Sequence, residues 1–285
     1  MLRKMNKSFL LSGNDVEIIT DFQTMSDRLI ADIEGARHHI NMLFFKFEDD
    51  AAGRRIADAL IRKSEEGVLV RLIYDDAGNL MVPRRFYRKL RKHGIQVRGF
   101  IRIFLPILSR DYNSRNHRKV VVIDGRVGYM GGMNIAQRYA EGLKWGIWRD
   151  THMRITGPAV SELQTSFLTD WKFTKGDEPD LGPMYPYNPP CGNTLMQIVT
   201  GGPMDKWNVM MQAYMTAIAS ARHHAYLQSP YFIPPEPIMK TLQNAALSGV
   251  DVRVMIPYRG DKGVLPPWAS RSYFKEALNA GIRIY

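Results

Sequence analysis

"NHRKVVVIDGRVGYMGGMN" spans residues 116–134. After Lys119 the run turns apolar and β-branched, so it reads as a strand. Side chains two apart on a strand share a face. His117 and Lys119 therefore project together, and Arg118 points the other way. "DGR" (124–126) is a turn signal, so "VGYM" (127–130) returns as a hairpin partner. That brings Gly131, Gly132 and Asn134 back toward the start of the cluster. Glycine lets backbone approach a ligand closely. "NIAQRYAEG" (134–142) then reads as the start of a helix with Asn134 near its N-cap. A lysine, an amide and a helix N-terminus together favour an anion such as phosphate.

Outward from this cluster the chain repeats itself. "ARHHINMLFFKFEDD" starts at Ala36 and "ARHHAYLQSPYFIPP" at Ala221, an offset of 185 residues. Gly67 in "EGVLVRLIYD" matches Gly249 in "SGVDVRVMIPY" at 182, and Gly94 matches Gly281 at 187. Three segments in one order at a nearly constant offset describe two related lobes, because the period is too long for a solenoid. Each lobe has the same grammar. The first predicts helices over 25–36, 53–66 and 84–93, with strands over 40–47 and 68–74. Gly94 is the expected C-cap of the third helix. Helices alternating with apolar strands predict an α/β fold: two lobes, each a mostly parallel mixed sheet flanked by helices. Residues 174–193 hold five prolines and read as a linker. The expected organisation is a first lobe over 1–173, the linker 174–193, and the N-terminal part of a second lobe over 194–285. Carried forward, the repeat places a second histidine cluster near residue ~304. On this expectation the chain stops at Tyr285 before it, and the second lobe is incomplete.

The 285 residues carry 39 Lys and Arg against 28 Asp and Glu, a net charge of +11. Such a surplus serves solubility or an anionic partner: nucleic acid, acidic lipid or a phosphorylated metabolite. Cys191 is the lone cysteine, which excludes an intrachain disulfide framework and a cysteine zinc site and suits a reducing compartment. The uncharged stretch "NVMMQAYMTAIAS" (208–220) is too short to span a bilayer, and the first residues lack the apolar core of a signal peptide. The chain reads as soluble or peripheral.

The cluster is similar to the defining motif of the phospholipase D superfamily, H-x-K-x4-D followed by a Gly-Gly/Ser-x-Asn turn. His117, Lys119, Asp124, Gly131, Gly132 and Asn134 fit it position by position. "RNHRKVVVIDGRVGYMGGMNI", "WRDTHMRITGPAV" from Trp148 and "QSPYFIPPEPIMKTLQNAALSGVDVRVMIP" from Gln228 narrow the resemblance to bacterial cardiolipin synthases. It implies two phospholipase D-like lobes. It also implies transfer of a phosphatidyl group between two phosphatidylglycerol molecules through a phosphohistidine, with release of glycerol and without metal or other cofactor. One histidine attacks phosphorus and a second protonates the leaving alcohol; one motif does not tell which His117 is. The implied catalytic set is His117, Lys119, Asp124 and Asp150. Asp124 is expected to brace the hairpin backbone rather than touch substrate, and Asp150 to orient the His117 ring. Lys119, Asn134, Gly131 and Gly132 are the expected phosphate-binding groups. Phe47, Tyr231 and Phe232 are candidates for the substrate pocket. The expected partners are anionic phospholipid and a membrane surface, at the bacterial inner membrane. The N-terminal transmembrane segments common in such enzymes are not found in this sequence.

Two rival readings stand beside this one. A nuclease or phosphodiesterase could complete a single-motif site by dimerisation, although a repeated lobe is then superfluous, and nothing resembles a nucleic-acid reading module. An inactive lipid-binding half-enzyme is the other, because these residues without a second motif lack an acid/base partner. The paired histidines His38, His39 and His223, His224 read as structural rather than as metal ligands. "GFIRIFLPILSR" (99–110) is either a buried edge strand or a segment dipping into the bilayer interface. The cations of "RRFYRKLRKHG" (84–94) read as the solvated face of a helix, with service to an anionic membrane as the alternative.

Overall fold

A computed structural model describes residues 1–101, 115–144, 146–202, 205–259 and 265–285. Most of the 99–110 stretch lies outside the described residues. The chain divides into two units: Ser8–Ile198, and Val199–Tyr285 together with Met1–Lys7. The latter segment carries helix α1 (Leu2–Asn6).

The Ser8–Ile198 unit is built on an eight-stranded sheet. Its strands are β1 (Leu10–Ile19), β2 (His39–Phe44), β3 (Leu69–Asp75), β4 (Gln96–Phe100), β5 (Val120–Ile123), β6 (Val127–Gly131), β7 (His152–Thr156) and β8 (Thr194–Gln197). The spatial order is β4-β3-β2-β5-β6-β7-β1-β8. Strands β2, β3 and β4 run parallel, while the five remaining pairings are antiparallel. The mostly parallel sheet expected from the helix–strand alternation is thus confined to one end, because the β5–β6 hairpin and the returning β7, β1 and β8 extend the sheet antiparallel. Helices α2 (Phe22–Glu34) and α3 (Ala51–Glu65) cross over on one face, and α4 (Arg84–Lys92) follows β3. A short α5 (Gln137–Glu141) precedes β7, and α6 (Val160–Phe173) covers the other face.

The sequence explains these elements locally. Asp21 caps α2 by accepting from the Thr24 amide at 2.8 Å, and Phe22, Met25, Leu29 and Ile33 form its buried stripe. All six residues of β2 are buried, as expected of a strand covered on both faces. The glycines matched between the repeats, Gly67 with Gly249 and Gly94 with Gly281, all end helices at positive φ, between 85° and 90°. A left-handed residue costs least there as glycine.

Residues 174–193 are not a free linker. They hold a short α7 (Leu181–Met184) and pack on the Ser8–Ile198 unit. Asp177 pairs with buried Arg71 at 3.2 Å. The sulfur of buried Met184 receives the amides of Asn41 and Gln164 at 3.6 and 3.7 Å. Prolines forbid a regular hydrogen-bonded element but not packing, so the observed boundary falls after Ile198 rather than at 173.

The second unit has a parallel sheet of order β11-β10-β9: β9 (His224–Gln228), β10 (Asp251–Met255) and β11 (Arg283–Ile284). Helices α8 (Val209–Ala219), α9 (Glu236–Leu247), α10 (Leu265–Ser272) and α11 (Phe274–Asn279) accompany it. Its register repeats that of the first unit, with His224 opposite Asp251 as His39 is opposite Leu69. No helix among the described residues is long and apolar enough to cross a membrane.

Candidate active site

The β5–β6 hairpin forms as the sequence predicts, with Val120 opposite Met130 and Ile123 opposite Val127. Its turn places Asp124 at φ 53° and Gly125 at φ 63°. The Arg126 amide donates to Ile123 O at 2.9 Å, closing a turn whose two central residues are both left-handed, as a type I′ turn requires. His117 precedes β5 and Asp124 follows it, so they lie at opposite ends of the strand.

His117 and Lys119 come together at the start of β5, beside the carboxyl ends of β2 and β3. The Lys119 ammonium is 3.1 Å from His117 Nδ1 and 2.7 Å from the His117 carbonyl oxygen. An ammonium only donates, so in this contact Nδ1 is the acceptor. Lys119 is buried, whereas His117 is exposed. Phe45 walls the pair: its ring centroid is 4.7 Å from the His117 ring and 5.5 Å from the lysine nitrogen.

Two carboxylates fix the approach to the strand. Asp75, at the end of β3, accepts from the Asn116 amide at 3.1 Å, and burial raises its pKa. Asp170 on α6 accepts from Asn116 Nδ2 at 2.9 Å and from Arg118 at 2.7 Å. Arg118 thus points away from His117 and Lys119, as strand alternation predicts.

Asp124 touches none of this. Its carboxylate accepts the backbone amides of Arg37, His38 and His39 at 2.8, 2.8 and 2.9 Å. It ties the hairpin to the start of β2, which is the bracing role expected of it and removes it from the reacting groups.

The structure relocates several other expected site residues. Asp150 was expected to orient His117. Its carboxylate instead accepts from the Thr151 amide at 2.7 Å, and Lys119 is the group on Nδ1 of the histidine. Burial raises the Asp150 pKa, and the positive charges of Lys119 and Arg149 oppose that rise. Asn134 is buried and already engaged: it accepts from the Lys46 amide at 3.0 Å and donates to the Tyr139 hydroxyl at 2.7 Å. It does not cap α5, whose N-cap is Ala136.

Gly131 and Gly132 serve packing. A Cβ on Gly131 would lie 2.5 Å from the His152 Cα, and one on Gly132 would lie 2.0 Å from an Asp150 oxygen. The Gly132 amide donates to Thr151 O at 2.8 Å, so a substrate phosphate does not find it free. Phe47 and Phe232 are core residues, 0% and 5% exposed, rather than pocket lining. Tyr231 is half-buried in the second unit.

Sequence reading missed Phe45, Asn116, Asp75, Asp170 and His152. The last is the least expected. Gly131 on β6 lies opposite His152 on β7, and the missing Gly131 side chain leaves room for the His152 ring. That ring is wholly buried beside Phe44, and neither nitrogen has a hydrogen-bond partner among the described residues. Burial, then the charge of Lys119, lowers its pKa to about 3.

The arrangement can bind and turn over an anion. A buried ammonium supplies positive charge beside an exposed imidazole, the group proton transfer most often uses.

Comparisons with known proteins show what the chain is similar to. The family described as cardiolipin synthase, PLD-like domain matches residues 29–171 and 214–285. The major cardiolipin synthase ClsA of Bacillus subtilis is 38% identical over all of this chain and 60% of its own length. A cardiolipin synthase of Geobacillus kaustophilus is 41% identical over 96% of this chain and 55% of its own. The chain therefore spans about 55–60% of these curated relatives. Phosphatidylserine synthase of Haemophilus influenzae shares the fold, with a TM-score of 0.63 at 15% identity over 99% of this chain and 76% of its own.

Proposed function

Because the chain belongs to the cardiolipin synthase, PLD-like family, we propose that it serves a phosphatidyltransferase that makes cardiolipin from two phosphatidylglycerol molecules at the bacterial inner membrane. The observation that carries the reading is the Lys119–His117 pair at the carboxyl edge of β2 and β3. Open sheets bind ligands at such edges.

In this scheme a histidine nitrogen attacks phosphorus, the P–O bond to glycerol breaks, and a P–N bond forms. A hydroxyl of the second phosphatidylglycerol then attacks phosphorus and the P–N bond breaks. Each step moves one proton, first to the departing glycerol and then from the incoming hydroxyl. As nucleophile His117 would present an unprotonated ring nitrogen to phosphorus; as general acid it would first carry a second proton, which it passes to the leaving alcohol. Lys119 offsets the charge on the non-bridging oxygens. Phe45 holds the ring in place, and Asp75 and Asp170 hold the backbone beneath it.

The test is cardiolipin formation by the native protein on phosphatidylglycerol vesicles. His117→Ala is expected to abolish turnover, and Lys119→Met to cut it by about 10²–10³-fold while the protein stays folded. Wild-type turnover in His117→Ala overturns the assignment.

A further inference from the structure

Helix α4, RRFYRKLRK, holds six cations and no acidic residue. Phe86, Tyr87 and Leu90 are buried and lock one face into the core. At 3.6 residues per turn, Arg84, Arg85, Arg88 and Lys92 take the opposite face, and all four are exposed. Lys89 pairs with Asp58 at 3.1 Å, and Arg91 donates to Val97 O at 3.1 Å. The outward four have no ion-pair partner among the described residues.

Immediately before this helix, the turn over 80–82 puts two apolar side chains into solvent: Met81 is 95% exposed and Leu80 51%. A bare apolar tip beside four unpaired cations is poor design for contact with water alone. It suits an anionic bilayer, where apolar side chains enter the interface and the cations meet headgroups.

The tip is anchored to the candidate site. The 3₁₀ turn Ala77–Asn79 joins it to the end of β3. Asn79 donates to Phe45 O at 2.8 Å and accepts from the Phe47 amide at 2.9 Å. Gly78 lies so close that a Cβ there would sit 2.4 Å from Phe45 O and 3.2 Å from the Phe45 ring. That ring contacts His117. One continuous chain of contacts therefore runs from the exposed tip to the histidine.

We propose that Leu80 and Met81, with Arg84, Arg85, Arg88 and Lys92, form the surface that docks this unit on anionic bilayer, beside the site that works on its lipids. The proposal rests on the transferase reading for its choice of a lipid partner. Its test reads partitioning, not turnover.

The experiment measures co-sedimentation with vesicles of phosphatidylcholine alone and of phosphatidylcholine mixed with phosphatidylglycerol. The wild type is expected to partition onto the mixed vesicles, and less so as salt rises. Each cation near the surface contributes about fivefold. Arg84→Glu with Arg88→Glu should therefore lower the partition coefficient by about twentyfold or more, and Met81→Asp by several-fold. Both variants should melt as the wild type does, since these side chains stand in solvent. His117→Ala should partition unchanged, so loss of the transferase reading and loss of the docking surface are separate outcomes. Variants that partition like the wild type overturn the proposal. So does a loss on charge reversal with none at Met81→Asp, which marks a purely electrostatic surface of the kind a nucleic acid uses.

Discussion

Replacing Asp124 separates the architecture of the motif from its chemistry. Three backbone amides converge on this carboxylate, from Arg37, His38 and His39. Hydrogen bonds to a charged acceptor contribute roughly 1.5–3 kcal/mol when buried. These are partly solvent-exposed, so about 1 kcal/mol each is the fair figure. Asp124→Ala loses all three and also leaves a non-glycine residue at φ 53°, which costs roughly another 1 kcal/mol. The expected total is about 4 kcal/mol, or a fall of about 8–16 °C in Tm for a unit of this size. Asp124→Asn keeps a residue that tolerates the left-handed region and one oxygen for His38 and His39. It turns an NH₂ toward the Arg37 amide, so about 1–2 kcal/mol is lost. The order in Tm is wild type, then Asn, then Ala, by calorimetry or circular dichroism. Turnover assayed well below Tm should stay near wild type in both variants. An unchanged Tm with abolished turnover refutes the reasoning and puts Asp124 among the reacting groups.

Gly132→Ala places a Cβ on the Asp150 carboxylate and should cost about 1–3 kcal/mol. Gly146→Ala meets nothing within 4 Å among the described residues and is the control; equal Tm values for the two refute the packing role. Acid sensitivity should trace to two buried imidazoles. Burial lowers the His39 pKa to about 4, against the opposing pull of Asp124, and the His152 pKa to about 3. Both folded values lie below the unfolded value of 6.5, so protons bind preferentially to the unfolded chain. The stability that comes from keeping the rings neutral is complete above pH 6.5. It falls by about 1.4 kcal/mol per ring per pH unit as pH drops toward 4 and 3. His152→Phe, stacked on Phe44 in the same space, should narrow the gap between Tm at pH 7.5 and at pH 5; an unchanged gap counts against it.

The hairpin was legible because its information is local: β-branched residues, then Asp-Gly, then a return. The lobe repeat was legible because the amphipathic stripes and terminal glycines recur, and the matched strands keep one register. Other features depend on contacts across long stretches of chain. The antiparallel half of the sheet uses β1, "LLSGNDVEII", whose polar interruptions hide a strand with two partners. Phe45 and Phe47 sit in one apolar run, and alternation alone does not say which one faces the site. The strand ends at Phe44, the period breaks, and Phe45 reaches His117 while Phe47 enters the core. Asp75 and Asp170 are two of 28 acidic residues, and only folding brings them to Asn116. The glycines of the turn were read for close approach to a ligand. They do allow close approach, but of the strand that carries Asp150 and His152.

The unnamed position of H-x-K has its own history to answer for. Arg118 and Asn116 both depend on Asp170, with Arg118 and its carboxylate 52 residues apart in sequence. Loss of the arginine alone takes the countercharge from an almost fully buried carboxylate; loss of the aspartate alone removes the acceptor that Arg118 and the Asn116 amide share. A lineage that drifts to an uncharged residue at 118 should therefore drift at 116 and 170 together. Among descendants these three sites should change as a trio, while the histidine and lysine between them stay still.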